Sequence, residues 1–156
     1  PRDRPTMNDA LLALALLPFA GALLPVLARR GFGVDPAYAA AAVAVPALAI
    51  VLWLAPFALD GGTHVARWPW VPSLGLDLAL RWDGLSFLFA LLITAIGCLV
   101  IAYSRWYLSP EECTPRFFGL LLAFMGAMLG IVLSENLVVL VICWELTSIT
   151  SFLLIG

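Results

Sequence analysis

The chain has 156 residues, of which 63% are hydrophobic and 12% are charged, and its mean hydropathy is +1.06. A typical soluble domain is about 45–50% apolar and about 25% charged, so this chain has too few charged side chains to cover a water-soluble surface. The composition excludes a disordered chain, a nucleic-acid-binding protein and an ordinary cytosolic enzyme. The net charge is −2, and all 8 basic residues are arginine. Because so few residues are charged in a chain this apolar, the expected environment is lipid.

Five stretches are apolar enough and long enough to cross a bilayer, which takes about 20 residues of helix. They are predicted at about residues 10–27, 37–59, 85–103, 117–133 and 137–155. The interiors of the first four contain no Asp, Glu, Lys or Arg. Prolines inside the first two are tolerated where neighbouring helices satisfy the freed carbonyl groups. The sequence therefore predicts an all-α membrane protein, a bundle of about five transmembrane helices.

The residues that flank the first span indicate whether it is a cleaved signal peptide or a retained helix. Residues 1–9 are expected to be an N-terminal extension, without evident structure before Met7. Asn8 and Asp9 make the flank acidic, whereas a signal peptide carries basic residues before its apolar core, so we expect a retained helix with its N-terminus outside. The first and third loops hold four arginines against two in the second (Arg29, Arg30, Arg105 and Arg116 against Arg67 and Arg81). The positive-inside rule then predicts that the first and third loops are cytoplasmic.

The second loop, residues 60–83, is predicted to form strands. Apolar residues recur along it at the two-residue period of a strand (Leu76, Leu78, Leu80 and Trp82). A Pro-Ser-Leu-Gly sequence at 72–75 is typical of a turn. We expect a short extracytoplasmic β-hairpin with three tryptophans in the interfacial aromatic belt (Trp68, Trp70 and Trp82). His64 at its start is expected to be solvated, with a ligand or proton-relay role as the alternative.

Small residues recur at four-residue spacing in the fourth predicted span (Gly119, Ala123 and Ala127, and again Gly126 and Gly130). This spacing lets helix backbones approach closely, so tight packing against a neighbouring helix is expected.

The three cysteines form no C-x-x-C pair (Cys98, Cys113 and Cys143). They are expected to be apolar packing residues, with a disulfide or a metal site as the alternative.

Glu145 is the only ionisable residue well inside a predicted span. Insertion scales give a cost of about 2.5–3.5 kcal/mol for an ionisable side chain at this depth. Ser148 is the polar neighbour on its helical face, whereas Thr147, Thr150 and Ser151 are expected to bond to helix carbonyls or to another helix. The carboxyl is either protonated, because an apolar environment disfavours its charged form, or ionised beside a cation outside this chain. The default function is a proton or cation site, and a neutral packing acid is the alternative.

The remaining acidic residues lie at the ends of the spans. Asp83 precedes the third span, with Ser86 three residues later, which is the pattern of a helix N-cap; a role at the mouth of a pathway is the alternative. Glu135, in the short fourth loop, is expected to be solvated. Glu111 and Glu112 are expected to be surface charges in the third loop.

Five motifs occur in order along the chain: WVPSLG at 70–75, DGLSFLFALLIT at 83–94, FMGAMLG at 124–130, WELTS at 144–148 and SFLLIG at 151–156. Together they resemble the N-terminal region of the A subunit of Mrp-type sodium/proton antiporters. The likeness extends from Met7 and is most specific over the second half of the chain. The chain is also similar to the largest antiporter-like membrane subunit of respiratory NADH dehydrogenase, but that relative usually reads W-E-G-V-G in place of WELTS. This departure favours the antiporter.

The resemblance implies that Glu145 is a key acid of a proton-translocation pathway and works with a lysine on a later helix. The chain has no lysine and ends just after the fifth predicted span, so it looks like the N-terminal piece of a larger subunit and is not expected to transport alone. Helices one and two are assigned to residues 10–59, the hairpin loop to 60–83, and the start of the proton-translocating domain to 84–156.

The resemblance also implies a cellular setting. It indicates a multi-pass protein of a bacterial plasma membrane that carries Na+ and H+. Its expected partners are lipid, the remaining helices of the same subunit and the other subunits of a hetero-oligomeric complex. No nucleic acid, cofactor or metal is expected to bind.

Three functions are compatible with these features. The first is a secondary transporter, not an enzyme, that exchanges Na+ for H+, with Glu145 and Ser148 in its proton pathway. The second is a proton-pumping membrane subunit of NADH:quinone oxidoreductase or of a membrane-bound hydrogenase. Because the chain has no G-x-G-x-x-G motif and no cysteine cluster, the redox chemistry would then lie in other subunits. The third is a purely structural bundle in which Glu145 is inert.

Overall fold

The computed structural model of the chain describes residues 4–71, 76–107 and 114–156. Within these ranges it contains six helices and two strands: α1 Arg4–Gly21, α2 Leu24–Phe32, α3 Pro36–Leu59, β1 His64–Val71, β2 Leu76–Trp82, α4 Gly84–Tyr107, α5 Pro115–Leu133 and α6 Leu137–Ile155. The expected turn at 72–75, and Glu111, Glu112 and Cys113, lie outside the described residues.

Four of the described helices, α3 to α6, are long and apolar enough to cross a membrane. Helices α1 and α2 are long and apolar enough only as a pair, which is bent by 48° and makes up to five spans in all if the pair crosses as one. The predicted fold class, about five transmembrane helices with a short hairpin between the second and third spans, is therefore confirmed.

The first span differs from its prediction in two ways. It is broken between Gly21 and Leu24 rather than continuous, because Pro25 has no N–H to donate to the carbonyl of Gly21 and its ring clashes with that carbonyl. The span also begins at Arg4, so the expectation that residues before Met7 lack structure is wrong for the described residues. Met7 is buried in the hydrophobic core, and its burial favours extending the helix toward the N-terminus.

Helix α5 packs against the first span and against α3, α4 and α6. Its glycines allow the close contacts. A Cβ atom on Gly119 would lie 2.6 Å from the carbonyl oxygen of Ala22, and one on Gly130 would lie 2.5 Å from Sγ of Cys143. The predicted tight packing of the fourth span is confirmed, and Cys143 takes its predicted packing role.

Strands β1 and β2 pair antiparallel, with His64 opposite Trp82, which confirms the predicted hairpin. The register shifts near Pro69, which cannot donate to the ladder. The placement of Trp82 in the interfacial belt is wrong, because its side chain is fully buried and its Nε1 donates to the carbonyl oxygen of Leu54, 3.3 Å away. Trp82 lies on the face of β2 that covers the bundle, whereas Trp70 is exposed.

The described charged residues are distributed unequally between the two ends of the bundle. From Asp9 onward, five acidic and two basic residues lie at the hairpin end (Asp9, Asp60, Asp77, Asp83 and Glu135, with Arg67 and Arg81). At the opposite end lie four basic and one acidic side chain (Arg29, Arg30, Arg105 and Arg116, with Asp35). The cytoplasmic position of the arginine-rich end stays a prediction of the positive-inside rule.

Candidate functional site

Glu145 is the ninth of the 19 residues of α6. At about 1.5 Å per residue it lies about 12 Å along the helix axis from Leu137, near the middle of the span. No other residue of this helix carries an ionisable carboxylate or a basic group. In the middle of a membrane span, hydrocarbon makes ionisation of a carboxyl costly unless a cation or water is close.

The carboxyl faces away from the rest of the described bundle. Helix α6 packs on α5 through its buried face, which includes Cys143 and Thr150. Glu145 is exposed on the opposite face, where Phe152 is 73% exposed. Glu145 forms no hydrogen bond or ion pair with a residue that the structure describes. The expectation that its partner lies outside this chain stays a prediction.

The hydroxyl groups near Glu145 bond to their own helix. The Oγ1 atom of Thr147 donates to the carbonyl oxygen of Trp144 at 2.6 Å, and that of Thr150 donates to Leu146 at 2.7 Å, which confirms the predicted back-bonding. Ser148 is exposed, and its Oγ lies 3.4 Å from the carbonyl oxygen of Trp144. That bond is long, and therefore weak, so rotation of the hydroxyl toward Glu145 is inexpensive.

Asp83 caps α4, as its position predicts. Its Oδ1 accepts from the backbone N–H groups of Leu85 at 3.0 Å and Ser86 at 2.9 Å, and Oγ of Ser86 accepts from the N–H of Asp83 at 2.7 Å. The bond from the Ser86 N–H is the main cause that lowers the pKa of Asp83 below its usual value, and the guanidinium of Arg81 lowers the pKa further.

Arg81 connects two acidic residues from different loops. Its Nε lies 2.8 Å from Oδ2 of Asp83, and its Nη1 lies 3.3 Å from Oε2 of Glu135. The expectation that Glu135 is merely solvated is wrong, because the backbone N–H of Glu135 also donates to Ala79 in β2 at 2.9 Å and holds the loop beside the hairpin. These bonds raise the pKa of Arg81, whose guanidinium stays charged. We call Arg81, Asp83 and Glu135 the hairpin triad.

Two members of the hairpin triad, Arg81 and Asp83, line a groove between α4, α5 and α6. The groove has a volume of about 710 Å³, and Arg81, Asp83 and Ser86 line its polar end. Its apolar wall includes Met128 and ends at Trp144, the residue before Glu145. Asp83 thus caps α4 and also lines the groove. Its position is compatible with both predicted roles, the helix cap and the mouth of a pathway.

His64 is not simply solvated, contrary to expectation. Its Nε2 lies 2.7 Å from Oδ1 of Asn8, and its ring meets that of Phe57 edge-on with centroids 6.5 Å apart. The contact joins β1 to α1, since Asn8 lies in the second turn of that helix.

Among the described residues, no group of three or more His, Cys, Asp or Glu side chains could hold a metal ion.

The chain is similar to proteins that are named as subunits of antiporters and of complex I. Residues 68–118 match the family model of the N-terminus of chain 5 of NADH-ubiquinone oxidoreductase, complex I. Over 146 residues, 94% of its length, the chain is 48% identical to the A/B subunit of a probable K+/H+ antiporter of Rhizobium meliloti strain 1021. It is 59% identical over 97 residues, 62% of its length, to the A subunit of the Na+/H+ antiporter of Alkalihalophilus pseudofirmus.

The fold has a counterpart in a solved assembly. A chain in the structure of the Mrp complex from Dietzia sp. DQ12-45-1b matches with a TM-score of 0.76 and 36% identity over 95% of this chain. The present chain spans 15% and 12% of the two antiporter subunits and 16% of the chain in the Mrp complex. The matches confirm the resemblance that the motifs predicted: this chain is a relative of the N-terminal region of the A subunit of the Mrp-type multisubunit Na+/H+ antiporters, and it is also related to the antiporter-like subunit of complex I.

Proposed function

We propose that this chain is part of the A subunit of a monovalent cation/proton antiporter in a bacterial plasma membrane, a secondary transporter rather than an enzyme. Glu145 is its intramembrane acid of the proton pathway. The observation that supports this role is the position of the carboxyl in the middle of α6, on the face turned away from α5, without a partner among the described residues. Acidic groups at this depth are generally found facing a bundle interior or a water-filled cavity, where they carry ions or protons.

The proposed chemistry is a proton exchange that depends on a nearby positive charge. The carboxyl of Glu145 can hold or release one proton. When a basic group of a later helix, or a transported cation, approaches the carboxyl, the ionised form is stabilised and the proton leaves. Movement of the positive charge away then lets the carboxyl take up a proton again. The same site can therefore couple the movement of a cation to that of a proton.

Ser148 and Asp83 are assigned supporting roles. The hydroxyl of Ser148 can turn from its 3.4 Å contact with Trp144 to donate to the ionised carboxyl of Glu145. Asp83 lines the polar end of the groove that runs from the hairpin triad to Trp144, so we assign it to the mouth of the pathway in addition to its role as a cap. The remaining helices of the subunit and the other subunits of the complex complete the route.

The transported cation is proposed to be Na+. The relative from Alkalihalophilus pseudofirmus is named as part of a Na+/H+ antiporter, whereas the relative from Rhizobium meliloti is named as part of a K+/H+ antiporter. Transport measurements should therefore compare Na+ with K+ in separate additions. A response to K+ alone would contradict the choice of Na+ without affecting the role of Glu145.

The test uses the full-length subunit in its complex, in everted membrane vesicles with a fluorescent pH probe. Glu145→Gln, which cannot release a proton, should reduce cation-dependent proton movement by about tenfold or more. Glu145→Asp keeps a carboxyl and should retain part of the activity, which makes it the matched control. Unchanged transport by Glu145→Gln at equal expression would overturn the assignment and favour a structural bundle.

The match of residues 68–118 to chain 5 of complex I favours a second candidate, a proton-pumping membrane subunit of a redox-driven complex. Addition of NADH, or of another electron donor, to the same vesicles separates the two candidates. Proton movement that follows electron transfer and does not need Na+ or K+ would favour the redox-driven complex. Proton movement that needs the cation and ignores the electron donor would favour the antiporter.

A further inference from the structure

Helices α3 and α4 leave an apolar groove of about 620 Å³ between them on the surface of the bundle. Alanines form much of its lining, and larger aliphatic side chains border it (Ala37, Ala41, Ala95 and Ala102, with Leu48 and Leu99). Its volume is within the range of about 300–1,000 Å³ that is typical of small-molecule sites. The groove lies in the span region of both helices, so an occupant has to be largely apolar.

One end of this groove carries a single cationic group. Arg105, in the last turn of α4, lines the groove together with Tyr38 and Trp106. The central carbon of its guanidinium lies 5.9 Å from the ring centroid of each of these two aromatic residues. Cation–π contacts at this distance stabilise the position of the guanidinium, so the charge is held at the mouth of the groove.

Asp35 fixes the orientation of Arg105. Its Oδ1 accepts the N–H of Ala37 at 2.9 Å and caps α3, while its Oδ2 lies 2.7 Å from Nε of Arg105. This second contact is an ion pair, because the direction of the N–H does not meet hydrogen-bond geometry and Nε has no hydrogen-bond partner among the described residues. The two Nη atoms form no ion pair or hydrogen bond with a described residue. One edge of the guanidinium is therefore anchored, and the other can receive an anion.

The geometry points to an anionic phospholipid, with an acyl chain in the groove and its phosphate on the Nη atoms of Arg105. A guanidinium fork matches the oxygen atoms of a phosphate. The sequence gives this end of the bundle a small net positive charge, because four arginines lie in the first and third loops or next to them, against Asp35, Glu111 and Glu112 (Arg29, Arg30, Arg105 and Arg116). The zwitterionic headgroup of phosphatidylcholine carries no net charge and would gain less from this field.

The depth of Arg105 also fits a lipid phosphate. Trp106 is 87% exposed beside it, and Tyr103 and Tyr107 stack with centroids 4.9 Å apart on the same last turns of α4. Aromatic residues of this kind collect at the level of the headgroups. Arg105 therefore lies where a phosphate lies, directly above an apolar cleft that opens toward the acyl chains.

The experiment places the full-length protein, in its complex, in nanodiscs of equal parts phosphatidylglycerol and phosphatidylcholine. A trace of either lipid carries a photoactivatable group on an acyl chain, and cross-linked peptides are mapped by mass spectrometry. Phosphatidylglycerol should label the segments 36–48 and 95–107 more than phosphatidylcholine does. Arg105→Gln should lower this labelling about fivefold, the factor expected for one basic residue at an anionic membrane surface.

Two further variants keep the test decisive. Arg116→Gln removes an arginine at the same end of the bundle but outside the groove, and should lower the labelling much less than Arg105→Gln does. Ala102→Phe fills the groove while Arg105 remains, and should also lower the labelling, so the proposal does not depend on Arg105→Gln folding normally. Equal labelling by both lipids, independent of Arg105, would mean ordinary surrounding lipid and would overturn the proposal. Absence of labelling on both segments would mean that another protein segment covers the groove, and would overturn it as well.

Discussion

Arg81 and Asp83 form an ion pair, with 2.8 Å between Nε and Oδ2, at the junction between the hairpin and α4. The same guanidinium contacts Glu135 from the loop between α5 and α6, and the side-chain amide of Asn136 in that loop donates to the carbonyl oxygen of Asp77 at 2.9 Å. One polar layer thus joins β2, the start of α4 and the start of α6. Because α6 carries Glu145, this layer sets the position of the proposed proton site relative to the groove.

The first prediction concerns the link through Arg81. Arg81→Gln removes the positive partner of both acidic side chains but leaves the hydrogen bond from the Glu135 N–H to Ala79. Amide hydrogen exchange at Glu135 should become roughly two- to fivefold faster, because the loop opens more often. Arg67→Gln, an exposed arginine on the other strand, should leave this exchange unchanged. Equal effects of the two variants would show that general hairpin charge, and not the triad, holds the loop.

The second prediction separates the two roles of Asp83. Asp83→Ala removes the cap of α4 and should reduce the free energy of unfolding by about 1 kcal/mol, seen as a lower melting temperature in detergent. Asp83→Asn retains a capping oxygen and should melt close to wild type. Transport then distinguishes the roles, because Asp83→Asn should lower cation-dependent proton movement only if the carboxylate belongs to the pathway mouth. Normal transport by a stable Asp83→Asn protein would leave Asp83 as a cap alone.

The third prediction is a pH dependence of the same cap. The pKa of Asp83 in the folded chain is below its usual value of 3.8, so the ionised carboxylate stabilises the folded state. This stabilisation is complete above the unfolded pKa and is lost as the pH falls below 3.8 through the folded pKa. The melting temperature of wild type should therefore fall more between pH 5 and pH 3 than that of Asp83→Asn. Parallel melting curves for the two proteins would contradict this account.

Features that depend on near neighbours in the sequence could be predicted. The strand period of β2, the cap of α4 by Asp83 and the close packing at Gly119 each depend on residues a few positions apart, which local geometry fixes. The position of Glu145 near the middle of α6 follows in the same way from the length of the apolar stretch. The direction of its side chain could not be predicted, because α6 is apolar nearly all round and its hydrophobic pattern does not favour one face.

Features that depend on distant segments could not be predicted. The sequence pattern places Glu135 and His64 in solvent, but their partners Arg81 and Asn8 lie 54 and 56 residues away. Tryptophan is common at the membrane interface, which favoured that position for Trp82. Its side chain is instead buried because β2 packs over the helices. No periodicity in the sequence indicates which of the loops meet at one end of a bundle, so these contacts require the fold.

The last prediction tests the packing of the broken first span on α5. A Cβ atom on Gly119 would lie 2.6 Å from the carbonyl oxygen of Ala22, a backbone atom at the bend between α1 and α2 that cannot move aside cheaply. Gly119→Ala should therefore separate the two elements and reduce the free energy of unfolding by about 1–3 kcal/mol, measured as a lower melting temperature. Gly31→Ala in α2, where a Cβ would meet nothing within 4 Å, should be neutral or stabilising by up to about 1 kcal/mol. Equal melting temperatures of the two variants would contradict the close contact between α5 and the bend of the first span.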